Sequence, residues 1–156
     1  MLSTNDNDAL TRVGPGSVMG ELMRRYWIPA MLSRELQPDS DTLRIRLLNE
    51  DLIAFRDTQG RVGVFAANCP HRGADLFFAR NEESGLRCIY HGWKFDITGA
   101  CVDMPNEPED TVFQHKVRQT AYPCLERSGM VWVYMGQGEP PELPDLEWNM
   151  LPDDHV

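Results

Sequence analysis

Two short stretches of the chain carry residue types that bind metal. Cys69-Pro70-His71-Arg72-Gly73 and Cys88-Ile89-Tyr90-His91-Gly92-Trp93 each hold one cysteine and one histidine, as C-x-H and C-x-x-H, with sixteen residues between His71 and Cys88. Two thiolates and two imidazoles make a four-ligand set. Zinc takes such a set in a closed tetrahedron, usually from C-x(2–4)-C and H-x(3–5)-H pairs. Here each stretch mixes its ligands, which suits a two-iron, two-sulfide cluster with both thiolates on one iron and both imidazoles on the other. Gly73 and Gly92 follow the histidines closely. Without a Cβ they would let backbone N–H groups approach the inorganic sulfurs, and Pro70 stiffens the first stretch. The candidate ligands are Cys69, His71, Cys88 and His91. A zinc-stapled binding module is the competing reading.

These loops need a rigid base, and the hydrophobic pattern predicts a β one. Leu43-Arg44-Ile45-Arg46-Leu47 alternates apolar and charged residues, as a half-buried strand does. Asn49-Glu50-Asp51 turns the chain into a second strand, Leu52-Ile53-Ala54-Phe55; Asp57-Thr58-Gln59-Gly60 turns it again into Val62-Gly63-Val64-Phe65. Leu76-Phe77-Phe78 covers the apolar side of the site, and Asn81 to Gly85 is a polar turn. Leu86-Arg87-Cys88 enters the second ligand loop, and a hairpin from Lys94 to Val102 leaves it. Val117–Tyr122 and Met130–Met135 read as further strands, with Ser128-Gly129 turning the chain before the second. The fold class is thus mainly β: an antiparallel sandwich or barrel with a metal-binding subdomain of two hairpin loops, plus a short N-terminal helix.

That helix starts at Ser17, a plausible N-cap, and ends at Ile28-Pro29. Val18, Met19, Leu22, Met23 and Tyr26 form an apolar stripe for packing, while Arg24 and Arg25 face solvent or a neighbouring domain. The pattern divides the chain into an arm and helix over 1–40, the metal-binding domain over 41–135, and a Pro-rich acidic linker over 136–156.

At 156 residues the chain is one domain by length. A net charge of −9 argues against a nucleic-acid partner, and no run of 18 apolar residues offers a membrane span. The polar, acidic segment Met1–Asp8 is unlike a secretory signal, and a thiolate cluster fits a reducing cytoplasm. Cys101 and Cys124 then read as free core thiols, and His115 and His155 as surface residues. Asp75 and Asp96 are available to Arg72 or Lys94, or to solvent. The segment 69–94 carries Arg72, Arg80, Arg87 and Lys94 against three acids, a net of +1 in an acidic chain. This is ordinary solvated charge or a docking rim for an acidic electron donor.

Both ligand stretches, with Trp93-Lys94-Phe95-Asp96, Gly99 and the N-terminal Met19–Pro29, resemble the Rieske non-haem iron ring-hydroxylating oxygenases, in the homo-oligomeric branch that includes phthalate dioxygenase. The resemblance implies a Rieske [2Fe-2S] cluster on Cys69, His71, Cys88 and His91. It also implies electrons from a flavin and iron–sulfur reductase that uses NADH, a homotrimeric parent, and a mononuclear Fe(II) in a C-terminal catalytic domain. The two-His, one-carboxylate motif of that domain is absent from these 156 residues. The chain therefore reads as an N-terminal portion (a fragment, a split gene or an excised piece) that transfers electrons without catalysing oxygenation. A free-standing Rieske ferredoxin is the alternative. High-potential respiratory Rieske proteins have a disulfide between the ligand loops and a Ser after the second loop's Gly. Here Ala74 and Tyr90 occupy the two Cys places and Trp93 the Ser place, which implies a low potential.

Overall fold

The computed structural model describes residues 2–108 and 112–151. Its first element is a helix, α1 (Thr4–Thr11), within the stretch that the sequence pattern reads as an arm. The Ser3 hydroxyl caps it, accepting the Asp6 N–H at 3.1 Å and donating to the Asp6 carboxylate at 2.7 Å. Helix α2 (Val18–Met23) is capped by Ser17, as the sequence suggests, but its apolar stripe does not pack. Val18, Leu22, Met23 and Tyr26 are exposed. The inward face carries Gly20 and, one turn on, Arg24, whose guanidinium meets Glu50 at 2.7 Å and the Leu48 carbonyl at 3.4 Å. Arg24 is thus a buried structural cation rather than a surface one.

The strands follow in order: β1 (Trp27–Leu32), β2 (Leu43–Leu47), β3 (Glu50–Arg56), β4 (Val62–Ala66), β5 (Arg80–Glu82), β6 (Gly85–Arg87), β7 (Lys94–Phe95), β8 (Cys101–Asp103), β9 (Ala121–Tyr122), β10 (Cys124–Arg127) and β11 (Met130–Tyr134). Among the described residues they make three antiparallel sheets, ordered β1-β11-β10, β2-β3-β4-β9 and β5-β6-β7-β8. Leu48-Asn49, Glu83-Ser84 and Ser128-Gly129 all have positive φ at both residues, as two-residue hairpin turns of type I′ require. The first turn falls one residue before the polar Asn49–Asp51 triplet that predicts it.

The sheet β2-β3-β4-β9 is the middle layer. Its β3 residues alternate between two cores: Leu52 and Ala54 pack with Val131, Val133 and Met31, while Ile53 and Phe55 pack with Leu86 and Phe95. Burial on both faces explains the continuous apolar run Leu52–Phe55. Cys69, Cys88, Leu76 and Trp93 belong to the second core, so the paired loops sit on a packed floor.

The acidic, Pro-rich C-terminal segment is folded onto the sheet β1-β11-β10 as far as it is described. The Trp27 indole donates to the Pro141 carbonyl at 2.7 Å, Leu143 is buried, and Trp148 stacks on Trp132 at 5.9 Å. Arg127 holds the Leu143 carbonyl at 3.3 Å and the Asp145 carboxylate at 3.1 Å. No helix among the described residues is long and apolar enough to cross a membrane.

Candidate metal centre

The two ligand stretches close by the same device. The Cys69 N–H donates to the Ala74 carbonyl at 2.8 Å and the Gly73 N–H to the Cys69 carbonyl at 2.9 Å. In the second loop Cys88 N–H reaches the Trp93 carbonyl at 2.9 Å and Gly92 N–H reaches the Cys88 carbonyl at 3.0 Å. Each loop therefore runs from a cysteine to a glycine four residues on, and only the histidine's place differs. Gly73 (φ 68°) and Gly92 (φ 78°) are both left-handed. A Cβ at Gly73 would meet nothing in the chain within 4 Å, so the conformation rather than room is what requires glycine there.

The four side chains meet as two pairs. The Cys69 and Cys88 thiols are both buried in the same core, close enough that Cys88 raises the Cys69 thiol's proton affinity. The His71 and His91 rings lie 4.5 Å apart at 57°. Among the described residues no three His, Cys, Asp or Glu side chains converge at the spacing of a single ion. Burial pushes the Cys69 thiol up to about 11; Cys88 adds to this, while the backbone N–H groups of His71 and Arg72 oppose it. Those N–H groups favour the thiolate, the form a metal needs. Burial, then the neighbouring His91 and Arg72, lower the basicity of the His71 imidazole. Its Nδ1 is buried with no hydrogen-bond partner. An orphaned buried nitrogen is costly unless something binds it.

Aromatic rings flank the imidazoles. Trp93 stacks flat on His71, with centroids 4.2 Å apart and planes at 6°, and Tyr90 lies 3.9 Å from His91. Trp93 is buried and Tyr90 exposed. Leu76 is fully buried under the loops, whereas Phe78 is open to solvent, so only part of Leu76–Phe78 covers the site. Arg87 ties the second loop to its hairpin, donating to the Gly92 carbonyl at 2.8 Å and pairing with Glu82 and Asp103.

The remaining polar groups mostly have structural partners. Asp75 pairs with Arg44 at 2.8 Å and caps the Leu76–Phe78 turn, while Asp96 accepts from its own turn at Thr98 and Ala100. Neither pairs with Arg72 or Lys94. Lys94 is buried against Glu83, and Arg80 lies beside Glu82, so the basic rim reduces to the exposed Arg72. Cys101 and Cys124 are free thiols in different cores; burial pushes Cys124 up to about 12. His115 is exposed, and His155 lies outside the described residues. The spacing of the ligands gives no hint of three supports: Asn106 accepting the Trp93 indole N–H at 2.8 Å, Asn68 donating to Gly73, and buried Gln119 donating to Ala66 and Asn68.

The Rieske [2Fe-2S] domain model matches residues 26–123. The chain belongs to the Rieske [2Fe-2S] domain family. It is 52% identical to the 3-chlorobenzoate-3,4-dioxygenase oxygenase subunit of Comamonas testosteroni, a match covering 100% of this chain and 36% of that protein. It is 48% identical to the phthalate 4,5-dioxygenase oxygenase subunit of Pseudomonas putida, again covering 100% of this chain and 36% of the relative. Among solved structures, the reduced complex between oxygenase and ferredoxin in carbazole 1,9a-dioxygenase superposes with a TM-score of 0.69 at 30% identity, covering 84% of this chain and 34% of that one. The chain thus spans about a third of the length of the curated relatives it matches. It is a Rieske domain of the kind found in ring-hydroxylating oxygenase subunits, a family whose Rieske domains transfer electrons.

Proposed function

We propose that Cys69, His71, Cys88 and His91 hold the [2Fe-2S] cluster, with the thiolates on one iron and the imidazoles on the other. We propose further that the chain passes single electrons from an NADH-dependent flavin and iron–sulfur reductase, directly or through a ferredoxin, to a mononuclear non-haem iron held outside these 156 residues. The observation that carries the reading is the His71 Nδ1, buried and without a partner, on a loop whose Cys69 thiol shares a buried core with that of Cys88. When bound, the cluster supplies a one-electron redox centre whose irons have no open position for substrate.

The chain's own residues do the holding. The backbone N–H groups of His71 and Arg72 stabilise negative charge on the Cys69 sulfur. Trp93, Leu76 and Met104 keep water from the floor of the loops, while exposed Tyr90 leaves the His91 side open to a partner. Two donor pairs support a two-metal cluster better than a single tetrahedral zinc. Similarity to oxygenase subunits supports the relay over a free-standing ferredoxin. A cytoplasmic location and a homotrimeric parent complete the reading, the first because thiolates persist in a reducing compartment.

The test is anaerobic reduction of the iron- and sulfide-loaded chain by such a reductase with NADH. Bleaching of the cluster bands supports the relay. A loaded cluster that neither a reductase nor a ferredoxin reduces would overturn it.

A further inference from the structure

The Trp93–His71 stack has an anchor outside both ligand loops. Trp93 Nε1 donates to Asn106 Oδ1 at 2.8 Å, from the turn that follows β8. An indole free to rotate about its χ angles would not hold its plane within 6° of the imidazole. Beyond its core packing, two contacts hold it: the hydrogen bond at its edge, and Phe113, whose ring meets it edge-on at 6.4 Å. His71 is in turn packed between Trp93 on one face and the tilted His91 ring at 4.5 Å. Its Nδ1 has no hydrogen bond to fix the ring's rotation. The ring plane is therefore set by stacking, and the stacked indole, already packed in the core and against Phe113, is fixed at its one polar edge by Asn106.

We infer that Asn106 is a positioning residue for His71, acting through the Trp93 indole to fix the plane in which the imidazole presents Nδ1. The inference rests on the reading of His71 as a cluster ligand. Asn106 touches neither ligand loop's cysteine nor its histidine in any hydrogen bond, so its effect runs through one bond and one stack. Asn106 is itself exposed, so its replacement leaves the buried core unchanged.

The experiment is electron paramagnetic resonance of the reduced, reconstituted chain, with visible circular dichroism of the oxidised form. Four proteins are compared: wild type, Asn106→Leu, Trp93→Phe and the double variant; Asn106→Asp, which keeps an acceptor, is the conservative control. Asn106→Leu should broaden the g features and change the dichroism, while Asn106→Asp keeps wild-type linewidths. In the Trp93→Phe background, where the N–H donor is gone, Asn106→Leu should add nothing further, so the two changes are non-additive. An Asn106→Leu spectrum identical to wild type, or effects that simply add, would overturn the inference. Where Asn106→Leu loads less iron, the Asn106→Asp linewidth decides in the same way: wild-type lines support it and broadened lines overturn it. Failure of the wild-type chain to show a Rieske signal at all would instead overturn the cluster reading, which separates the two.

Discussion

His71 and Cys88 illustrate how differently two proposed ligands of one site are held. Cys88 is pinned by its own loop closure and buried in the core. His71 is positioned by neighbours, with a stacked indole on one face and an unpartnered Nδ1 facing inward. Removing either should abolish loading: His71→Ala and Cys88→Ser are expected to lower iron binding by more than about tenfold, the scale on which even supporting residues act. Tyr90→Ala, which changes an exposed ring, should leave iron content near wild type. Iron and sulfide analysis of the three variants checks this. His91→Cys, where a cluster still forms, should lower the reduction potential by adding negative charge beside the reducible iron. The relevant scale is the gap between Rieske centres at roughly −150 to +300 mV and plant-type four-thiolate clusters near about −400 mV. The four proposed ligands stand out in the sequence because Cys and His spacing is a local property. Asn106 was not, since its relation to Trp93 exists only after the β7–β8 hairpin folds back.

At the level of elements, strands with strict alternation or a two-sided apolar run were readable: β2, β3 and β4 lie where the pattern predicts. Strand β1 was not, because Ile28-Pro29 reads as a helix end. Pro29 is tolerated there because β1 is an edge strand, paired only with β11, and its register shifts between Pro29 and Met31. Helix α1 escapes hydrophobic pattern reading because none of its residues is buried, although Ser3 and Asp6 already carried a capping signal. Val117–Tyr122 shortens to the two residues of β9, the rest being held by the Ala100–Arg118 bridge and the Cys101 N–H to Val117 carbonyl bond.

The loop glycines make a graded prediction at this scale. Gly73→Ala should cost about 1 to 2 kcal/mol for left-handed backbone alone. Gly92→Ala should cost more, since its Cβ would meet Pro105 at 3.1 Å. Thermal melts of the two variants rank them. The contact between layers makes another. Arg56 on β3 joins Glu126 on β10 at 2.5 Å, and also donates to the Leu36, Ser33 and Gly60 carbonyls. The bond to Arg56 lowers the Glu126 carboxyl below its ordinary range. A lowered carboxylate stabilises the fold above its unfolded-state value, and that stability is lost as pH falls through the folded value. Acid melts should therefore show Glu126→Gln losing less stability than wild type below the ordinary carboxylate range, by about 1 kcal/mol for this partly exposed acid. Arg56→Met, which strands Glu126 and three part-buried carbonyls, should cost about 3 kcal/mol at neutral pH.

For the molecule as a whole, three layers divide the work. The middle sheet shares its two faces between the cores, one of which floors the ligand loops. The far sheet is covered by the C-terminal segment, whose composition reads as a linker but whose Leu143 and Trp148 pack. Trp148→Ala should lower stability by about 1 kcal/mol through the lost stack on Trp132, measured by chemical denaturation. The central claim is the nature of the metal centre, and metal analysis combined with spectroscopy tests it most directly. The purified chain, loaded anaerobically with iron and sulfide, should hold about two irons and two acid-labile sulfides and show a visible spectrum and a reduced-state paramagnetic signal of the Rieske type. A colourless protein that takes up zinc on the same four residues, with no labile sulfide, would contradict the account.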